Sequence, residues 1–224
     1  MATKEGKNSM IAYGTFVSEP TFDYTVHGRN FYRTELSMIR PSGIIDTIRV
    51  IISEDQIDHN KCYADGTLIK ATGSFRSRNY TGEDGKNHID LYLFVTHMEF
   101  VDTIPEDTLS NQIYIKGYIC KSPVYRATPS GKHISDVIIA VPRLDYRSDY
   151  IPCIFWNKQA YIAKSVEVGE GLTLVGRVQS REYTNQKGEK GIAYEVSVSR
   201  VVNIIPKTDL AKKQVETIDV TDNE

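Results

Sequence analysis

The sequence predicts an all-β protein made of two tandem five-stranded barrels, each with one short helix between its third and fourth strands. Three observations predict this architecture: an internal repeat, a series of short apolar segments of strand length, and a helical segment at the same place in each copy. The chain has 224 residues, of which 40% are hydrophobic and 25% charged, and this composition is ordinary for a globular protein.

The internal repeat spans most of the chain. With a shift of 103 positions, residues 14–101 align with residues 117–204 without a gap. Six of the identical pairs are glycines or prolines, which mark special backbone geometry and therefore indicate a shared fold. The identical pairs also include Arg40/Arg143, Asp46/Asp149, Arg78/Arg181 and Tyr80/Tyr183. Solenoid units repeat every 20–50 residues or so, whereas this repeat has the size of a small domain, so we predict one duplicated domain.

The repeat divides the chain into five segments. We expect a flexible N-terminus over residues 1–9, a first, divergent domain over 10–101, and an acidic linker with a proline over 102–111. The second domain is expected over 112–205, followed by a polar, acidic tail over 206–224.

Short apolar runs bounded by turn residues predict the strands of the second copy. They cover residues 113–117, 137–141, 150–156, 172–178 and 192–202. A helix is predicted between the third and fourth strands, with Asn157 as its N-cap and Gly169 after its end. In the first copy, Ser53 and Gln56 fit a capping box at the same place. This order of elements is the layout of an OB-fold, a small closed barrel.

Composition and motifs argue against several other classes of protein. No apolar run approaches the roughly 18 residues of a membrane span, and the N-terminal segment lacks the apolar core of a secretory signal, so we expect a cytoplasmic protein without a membrane partner. The three widely spaced cysteines form no metal or redox pattern. Without a Walker, GxSxG or HExxH motif, we predict no enzyme activity and no cofactor or metal. The formal net charge of −2 gives no overall basic field, which argues mildly against a nucleic-acid partner.

The second copy nevertheless carries the motifs of one family. They are DYIPCIFW at 149–156, KxAxxAK at 158–164 and GRVQSREYT at 176–184. Through these motifs, residues 111–204 resemble the bacterial single-stranded DNA-binding protein (SSB) family, in a tandem variant whose first copy shares the resemblance only through the repeat. The resemblance implies OB-folds and sequence-tolerant, non-catalytic binding of single-stranded DNA in replication, recombination or repair. Ordinary members carry one OB-fold and form tetramers, so two per chain imply a homodimer with four.

The resemblance also implies where a strand would bind. SSB proteins exemplify a mode in which aromatic rings stack on exposed bases while Arg and Lys contact the phosphates. The positions that match the stacking sites of the family are Tyr150, Trp156 and Tyr183. Further aromatic candidates are Tyr146, Tyr125 and Tyr80, and the basic candidates are Lys132, Arg143, Arg177, Arg181, Arg40 and Arg78. For any single tyrosine in a strand, packing is the commoner role, and Trp156 can alternatively cap the barrel beside the helix.

The first copy departs from this pattern. Thr47 stands where Tyr150 does and Ser53 where Trp156 does, so two stacking positions are lost. Possible substitutes are Phe31, Tyr32 and Tyr24. The last strand of this copy is apolar on both faces, which predicts a second layer packed against it. The hypothesis is therefore that the first copy chiefly packs and oligomerises, and that the second copy is the stronger binder.

Two other functions fit the residues as well. One is a protein-interaction scaffold of a primosome or mobile-element complex, which the neutral charge and the altered first copy favour. The other is binding of single-stranded RNA, because stacking does not read the 2′-hydroxyl. Replication or recombination proteins are expected partners of an SSB-like chain, although the tail ends in acidic residues without the aromatic tip typical of the family.

Overall fold

The computed structural model describes residues 8–82, 85, 87–106, 108–184, 188 and 190–209. The described chain is mostly β and clusters into two compact units. Unit 1 comprises Met1–Ile113 together with Arg177–Val196, and unit 2 comprises Tyr114–Gly176 together with Ser197–Glu224. The predicted N-terminal segment before residue 8 and the predicted tail after residue 209 lie outside the described residues. In the part of the chain so described, no helix is long and apolar enough to cross a bilayer.

The described part of the first repeat forms six strands. They are β1 (Asn8–Phe16), β2 (Thr21–Val26), β3 (Arg29–Ile39), β4 (Ile45–Ser53), β5 (Ile69–Thr81) and β6 (Asn87–Phe100). Their order in the sheet is β2-β3-β4-β6-β5-β1, and β1 also pairs with β3, so the sheet closes on itself. Strands β4 and β6 run parallel, whereas the other pairings recorded in this repeat are antiparallel.

The second repeat follows the same plan. Its described elements are β7 (Asn111–Ile119), β8 (Val124–Ala127), β9 (His133–Pro142), β10 (Ser148–Trp156), α1 (Lys158–Lys164), β11 (Gly171–Thr184) and β12 (Lys190–Ile205). The strand order is β7-β11-β12-β10-β9-β8, and β7 also pairs with β9. The prediction of five strands per copy therefore missed one short strand in each copy, β2 in the first and β8 in the second. In β8, the sequence Val-Tyr-Arg-Ala is too short and too mixed in polarity to give a period-two signal.

The glycine pair Gly14 and Gly117 shows why the repeat preserves particular positions. At each closure of the sheet the backbones approach so closely that a side chain does not fit. A Cβ atom at position 14 would lie 2.2 Å from the carbonyl oxygen of Ser37, and one at position 117 would lie 2.5 Å from that of Ala140. Glycine is therefore required where the first strand of each copy meets the third.

The core of each repeat is the inner face of its closed sheet. In the first repeat it contains the fully buried side chains of Met10, Leu36, Ile48, Ile69, Phe75 and Leu93. In the second repeat it contains those of Ile115, Ile139, Ile151, Phe155, Leu174 and Val196. These residues alternate along their strands with outward-facing positions, and the outward-facing positions supply the candidate site.

The predicted helices differ between the copies. In the second, α1 lies between β10 and β11 and buries Ala160 and Ala163, although the side chain of Asn157 forms no capping hydrogen bond. In the first, the described residues after β4 form only a 3-10 helix, Glu54–Gln56, so the helix expected there is wrong. The hydroxyl of Ser53 donates to the carboxylate of Asp55 and caps no backbone group. The following residues, Asp-His-Asn-Lys-Cys-Tyr-Ala-Asp-Gly, are mostly weak helix formers.

A carboxylate from another loop organises this irregular segment. Oε1 of Glu19 accepts hydrogen bonds from the backbone N–H groups of Tyr63 and Ala64, both at 2.8 Å, and from the Cys62 thiol at 3.1 Å. The Ala64 hydrogen bond, then the Cys62 and Tyr63 bonds, hold the pKa of Glu19 below its ordinary value. Charge on Glu19 therefore stabilises the loop before β5.

We expect the variant Glu19→Gln to lower the unfolding midpoint at neutral pH and to lose this effect in acid. Because the folded-state pKa is depressed, the stabilisation is fully present above the unfolded value of about 4.5 and disappears as the pH falls through the folded value. Thermal unfolding at pH 7 and pH 3 measures it, with the exposed Glu182→Gln as control. A difference between wild type and Glu19→Gln that is equal at both pH values would contradict the charge-dependent role.

Candidate functional site

The outer face of β10 brings together two of the predicted stacking residues. The strand alternates between the core residues Asp149, Ile151, Cys153 and Phe155 and the outward-facing Tyr150, Pro152, Ile154 and Trp156. Tyr150 is 40% exposed and Trp156 is partly exposed, while Ile154 between them is buried. Six residues of strand separate the two rings by about 20 Å along β10. We call this surface the β10 face.

Strand β9 borders the β10 face with three small or apolar side chains and with the carboxylate of Asp136, which lies opposite Ile154. Ala140 lies opposite Tyr150, Ile138 opposite Pro152, and Ile134 opposite Trp156. Next to Ile134, strand β8 places Arg126, whose guanidinium contacts Asp136 at 2.8 Å and is about half exposed. Arg126 was missed from the sequence because only the pairing of β8 with β9 brings it beside the row that contains Trp156.

Two turns at the ends of β9 carry further predicted residues. In the β9–β10 loop, Tyr146 is fully exposed and has a positive φ of 61°. In the turn between β8 and β9, Lys132 is exposed, and its N–H donates to the Thr128 hydroxyl at 3.0 Å. Both residues belong to unit 2, as the β10 face does.

Tyr125, in contrast, lies in a separate cluster. In the β8–β9–β10 register it lies opposite Ser135 and Phe155, on the face away from Trp156. Its ring packs 5.7 Å from that of His133 and 5.6 Å from that of Tyr161 on α1, and its hydroxyl lies 2.7 Å from Nδ1 of His133. The hydrogen bond with Tyr161, together with desolvation, raises the pKa of Tyr125 to about 12. These contacts tie β8 to the helix.

The repeated pairs Arg40/Asp46 and Arg143/Asp149 form matching ion pairs. Nε of Arg143 donates to Oδ2 of Asp149 at 2.8 Å, and Nη2 donates to Oδ1. Arg40 holds Asp46 in the same two-pronged way, at 2.5 and 2.6 Å. Both carboxylates are almost fully buried, and both guanidiniums are more than four-fifths buried. The two arginines predicted as phosphate contacts thus each neutralise a buried charge at the base of a hairpin loop.

Three other predicted residues, Arg177, Arg181 and Tyr183, lie on β11 in the part of that strand that belongs to unit 1. Arg181 is 55% exposed, with Nε 3.5 Å from Oε1 of Glu195, and Tyr183 is 44% exposed. Arg177 is partly buried. The tip of the hairpin after Tyr183 is described only in part, since residues 185–187 and 189 are outside the described residues.

The segment Arg177–Val196 covers β4 within unit 1. The N–H of Ser180 donates to Oδ1 of Asp46 at 3.0 Å, and its hydroxyl accepts from the N–H of Thr47 at 3.2 Å. The guanidinium of Arg49 lies 5.8 Å from the centre of the Tyr194 ring. The backbone of Thr47, the counterpart of Tyr150, is therefore hydrogen-bonded to Ser180 of the same chain. Ser53, the counterpart of Trp156, is buried.

The substitute aromatics of the first repeat are packed against one another. Tyr24 stacks on Phe31 at 5.0 Å, and Phe31 contacts Phe94 at 5.8 Å. This cluster also includes Ile51 and Tyr92. Its members lie on β2, β3, β4 and β6, which are neighbours in one sheet, so the cluster packs across these strands and is not the second layer predicted against β6. Tyr32 lies elsewhere, with its hydroxyl 3.4 Å from Glu54.

The remaining two candidates, Arg78 and Tyr80, line a cleft of about 640 Å³ in unit 1. Arg78 contacts Asp90 at 3.1 Å, and the Tyr80 ring stacks on His88 at 5.4 Å. Arg33 and Arg49, which belong to no motif in the sequence, line the same cleft. Among the described residues, no group of three or more His, Cys, Asp or Glu side chains is placed to hold a metal ion.

Comparison with known proteins points to one family. Residues 110–204 match the sequence model described as the Single-strand binding protein family. The chain is 31% identical over 104 residues to Single-stranded DNA-binding protein A of Bacillus subtilis, which covers 43% of this chain and 60% of that protein. It is 32% identical over 108 residues to Single-stranded DNA-binding protein 1 of Staphylococcus aureus, covering 43% and 62%. The chain thus spans about three fifths of the length of these relatives.

Solved structures extend the likeness over both repeats. The wild-type single-stranded DNA binding protein from Thermus aquaticus superposes with a TM-score of 0.65 at 19% identity, covering 90% of this chain and 93% of that one. A deletion mutant of the same protein gives a TM-score of 0.69 and covers 91% and 96%. At this identity the match shows that the fold is shared.

Proposed function

Since residues 110–204 match the sequence model of the Single-strand binding protein family, we propose that this chain binds single-stranded DNA without catalysing a reaction on it. The observation that carries the proposal is the β10 face, where Tyr150 and Trp156 stand outward on one strand within the segment that matches the family. Both rings are accessible to solvent, so bases can stack on them.

Binding in this proposal combines stacking with contacts to phosphates. The DNA strand lies on the β10 face, and its bases stack against Tyr150 and Trp156. Tyr146 and Lys132 contact it from the two turns at the ends of β9. Arg126 adds a half-exposed guanidinium on β8, next to Ile134 and two strands away from Trp156. In unit 1, Arg181 and Tyr183 are exposed enough to contact nucleic acid, as are Arg78 and Tyr80. Arg40, Arg143 and Tyr125 contribute mainly by holding the fold, because their polar groups are used within the protein.

The proposal includes the architecture and the assembly. Each repeat forms an OB barrel, and the chain acts as a homodimer with four barrels in the cytoplasm, in replication, recombination or repair. The first repeat is the weaker binder. Support for this division comes from β4, where Thr47 and Ser53 replace the stacking residues and contacts within unit 1 cover the strand.

The single tryptophan of the chain gives a direct test. Titration with an oligo-dT is expected to quench the fluorescence of Trp156 at low salt, and the affinity should fall as salt rises because phosphate contacts release counterions. An oligo-U of the same length tests for RNA, and duplex DNA is the control in which the base faces are hidden. An absence of binding to oligo-dT at low salt would reject the proposal and favour a scaffold that holds proteins.

A further inference from the structure

A second cavity lies entirely within unit 1, next to the loop between β3 and β4. Its volume is about 280 Å³, and its lining includes Arg40, Ser42, Asp46, Asn111 and Arg177. This is slightly below the usual range of about 300–1,000 Å³ for pockets that take drug-sized ligands. Because two arginines line so small a space, the net charge of the lining decides which ligands the cavity can bind.

The lining carries two positive charges and one negative charge. The carboxylate of Asp46 is engaged by Arg40 through both of its oxygens, and Oδ1 also accepts from the N–H of Ser180. The amide of Asn111 is used as well, because it donates to and accepts from the backbone of Val178. The carboxylate therefore neutralises Arg40 and leaves the charge of Arg177 without a counter-ion in the lining.

Arg177 is also short of hydrogen bonds. A guanidinium has five N–H donors. Nε of Arg177 is buried and has no hydrogen-bond partner among the described residues, and Nη2 has only a long contact of 3.4 Å to Oε1 of Gln179. Buried donors in proteins are nearly always satisfied, so an unsatisfied one next to a cavity requires an explanation.

The electrostatic surroundings point the same way. Burial lowers the pKa of Arg177, and the nearby Arg40 lowers it further, against a smaller opposing effect of Asp46. A partly buried guanidinium beside a like charge is less stable than one whose charge an anion offsets. A planar fork of N–H groups fits the oxygens of a phosphate in particular.

We propose that this cavity binds a phosphate-type oxyanion, with the guanidinium fork of Arg177 as its principal ligand and the Ser42 hydroxyl beside it. The phosphate comes either from the backbone of a bound strand or from free inorganic phosphate. The cavity shares no residue with the β10 face, so the free-anion form of the proposal does not depend on DNA binding.

The test compares the full-length wild type with Arg177→Gln and with Arg29→Gln, an exposed arginine of the same unit as control. Calorimetric titration with inorganic phosphate in a phosphate- and sulfate-free buffer is expected to saturate for wild type and control, and to show at least tenfold weaker affinity for Arg177→Gln. Arg177→Lys keeps the charge without the fork, and we expect an intermediate loss.

Oligo-dT binding by the same variants separates the two sources of phosphate. If Arg177→Gln loses affinity for phosphate and keeps its affinity for oligo-dT, the natural ligand of the cavity is a free anion. The ligand is instead a backbone phosphate of the DNA if two results are obtained together. Arg177→Gln then loses oligo-dT affinity tenfold while Arg29→Gln does not, and the wild type shows no saturable binding of inorganic phosphate. If neither titration responds to Arg177→Gln or Arg177→Lys, the proposal is overturned.

Thermal unfolding provides a readout that a purely structural arginine would not give. Without phosphate, Arg177→Gln is expected to unfold at or above the wild-type midpoint, because an unsatisfied buried charge has been removed. Phosphate should raise the midpoint of wild type and leave that of Arg177→Gln unchanged. A lower midpoint of the variant in both buffers, with the phosphate shift retained, would show that Arg177 is structural and would refute the site.

Discussion

Replacing Trp156 with alanine is expected to weaken the binding of oligo-dT roughly 5- to 150-fold. Base–aromatic stacking contributes about 1–3 kcal/mol per base, and each 1.4 kcal/mol or so changes an affinity tenfold. Trp156 lies on the β10 face beside Ile134, and its partial exposure leaves ring surface for a base. Because the variant lacks the intrinsic fluorophore, the affinity is measured by anisotropy of a labelled oligo-dT.

Two further variants make this result interpretable. Trp156→Phe keeps an aromatic face and should retain most of the affinity, which separates stacking from support of the fold. Tyr80→Ala removes a ring of unit 1 that is 47% exposed and stacked on His88, and we expect a smaller loss. If Tyr80→Ala weakened binding more than Trp156→Ala, the division of labour between the two repeats would be the reverse of the one proposed.

Replacing Arg143 with alanine is expected to lower the free energy of unfolding by about 3–5 kcal/mol. Removal of the guanidinium leaves Asp149, which is 2% exposed, as a buried carboxylate without its main partner, and breaking a buried pair in this way typically has a cost of that size. Arg147→Ala is the matched control, since Arg147 is 74% exposed and paired with the exposed Asp145, so its loss should stay below about 1 kcal/mol. Urea unfolding followed through Trp156 reports on unit 2, which contains both arginines.

The same variants separate stability from binding. Replacing Arg143 and Asp149 together with apolar residues should recover part of the lost stability, because no unpaired charge remains. A variant Arg143→Ala that unfolds like wild type but loses affinity for oligo-dT would instead support the role that the sequence predicted, a phosphate contact.

Strand positions followed from local signals in the sequence. The apolar run at 137–141 lies within β9, and residues 150–156 lie within β10, because alternate burial needs only short-range information. Gly14 and Gly117 were visible as a repeated pair, although their reason, the close approach of two backbones, needed the structure. The extra strand β8 of the second copy and the missing helix of the first copy were not predicted, since Val124–Ala127 and Glu54–Gln56 carry only weak periodic signals.

Side-chain roles were harder to predict because they depend on contacts between distant parts of the chain. From the sequence, a repeated arginine in a loop is predicted to contact phosphate. Only the structure shows that Arg40 and Arg143 each form an ion pair with a buried aspartate six residues away. Contacts of Ser180 with Asp46 and Thr47 join residues more than 130 positions apart. No periodicity or motif encodes such a pairing, and it changes the meaning of Thr47 from a lost stacking position to a packed one.

Because Arg177–Val196 belongs to unit 1, this unit cannot complete its fold early in the synthesis of the chain. This unit is discontinuous in sequence, and the residues that cover β4 are synthesised more than 60 positions after the linker ends at residue 111. During synthesis from the N-terminus, the contacts of Asp46, Thr47 and Arg49 with Ser180 and Tyr194 can therefore form only after Tyr194 has emerged, whereas most domains complete their own fold as they leave the ribosome. A truncated chain that stops after the first repeat would lack these contacts permanently, so the first copy as it stands in this chain does not contain all of its own partners.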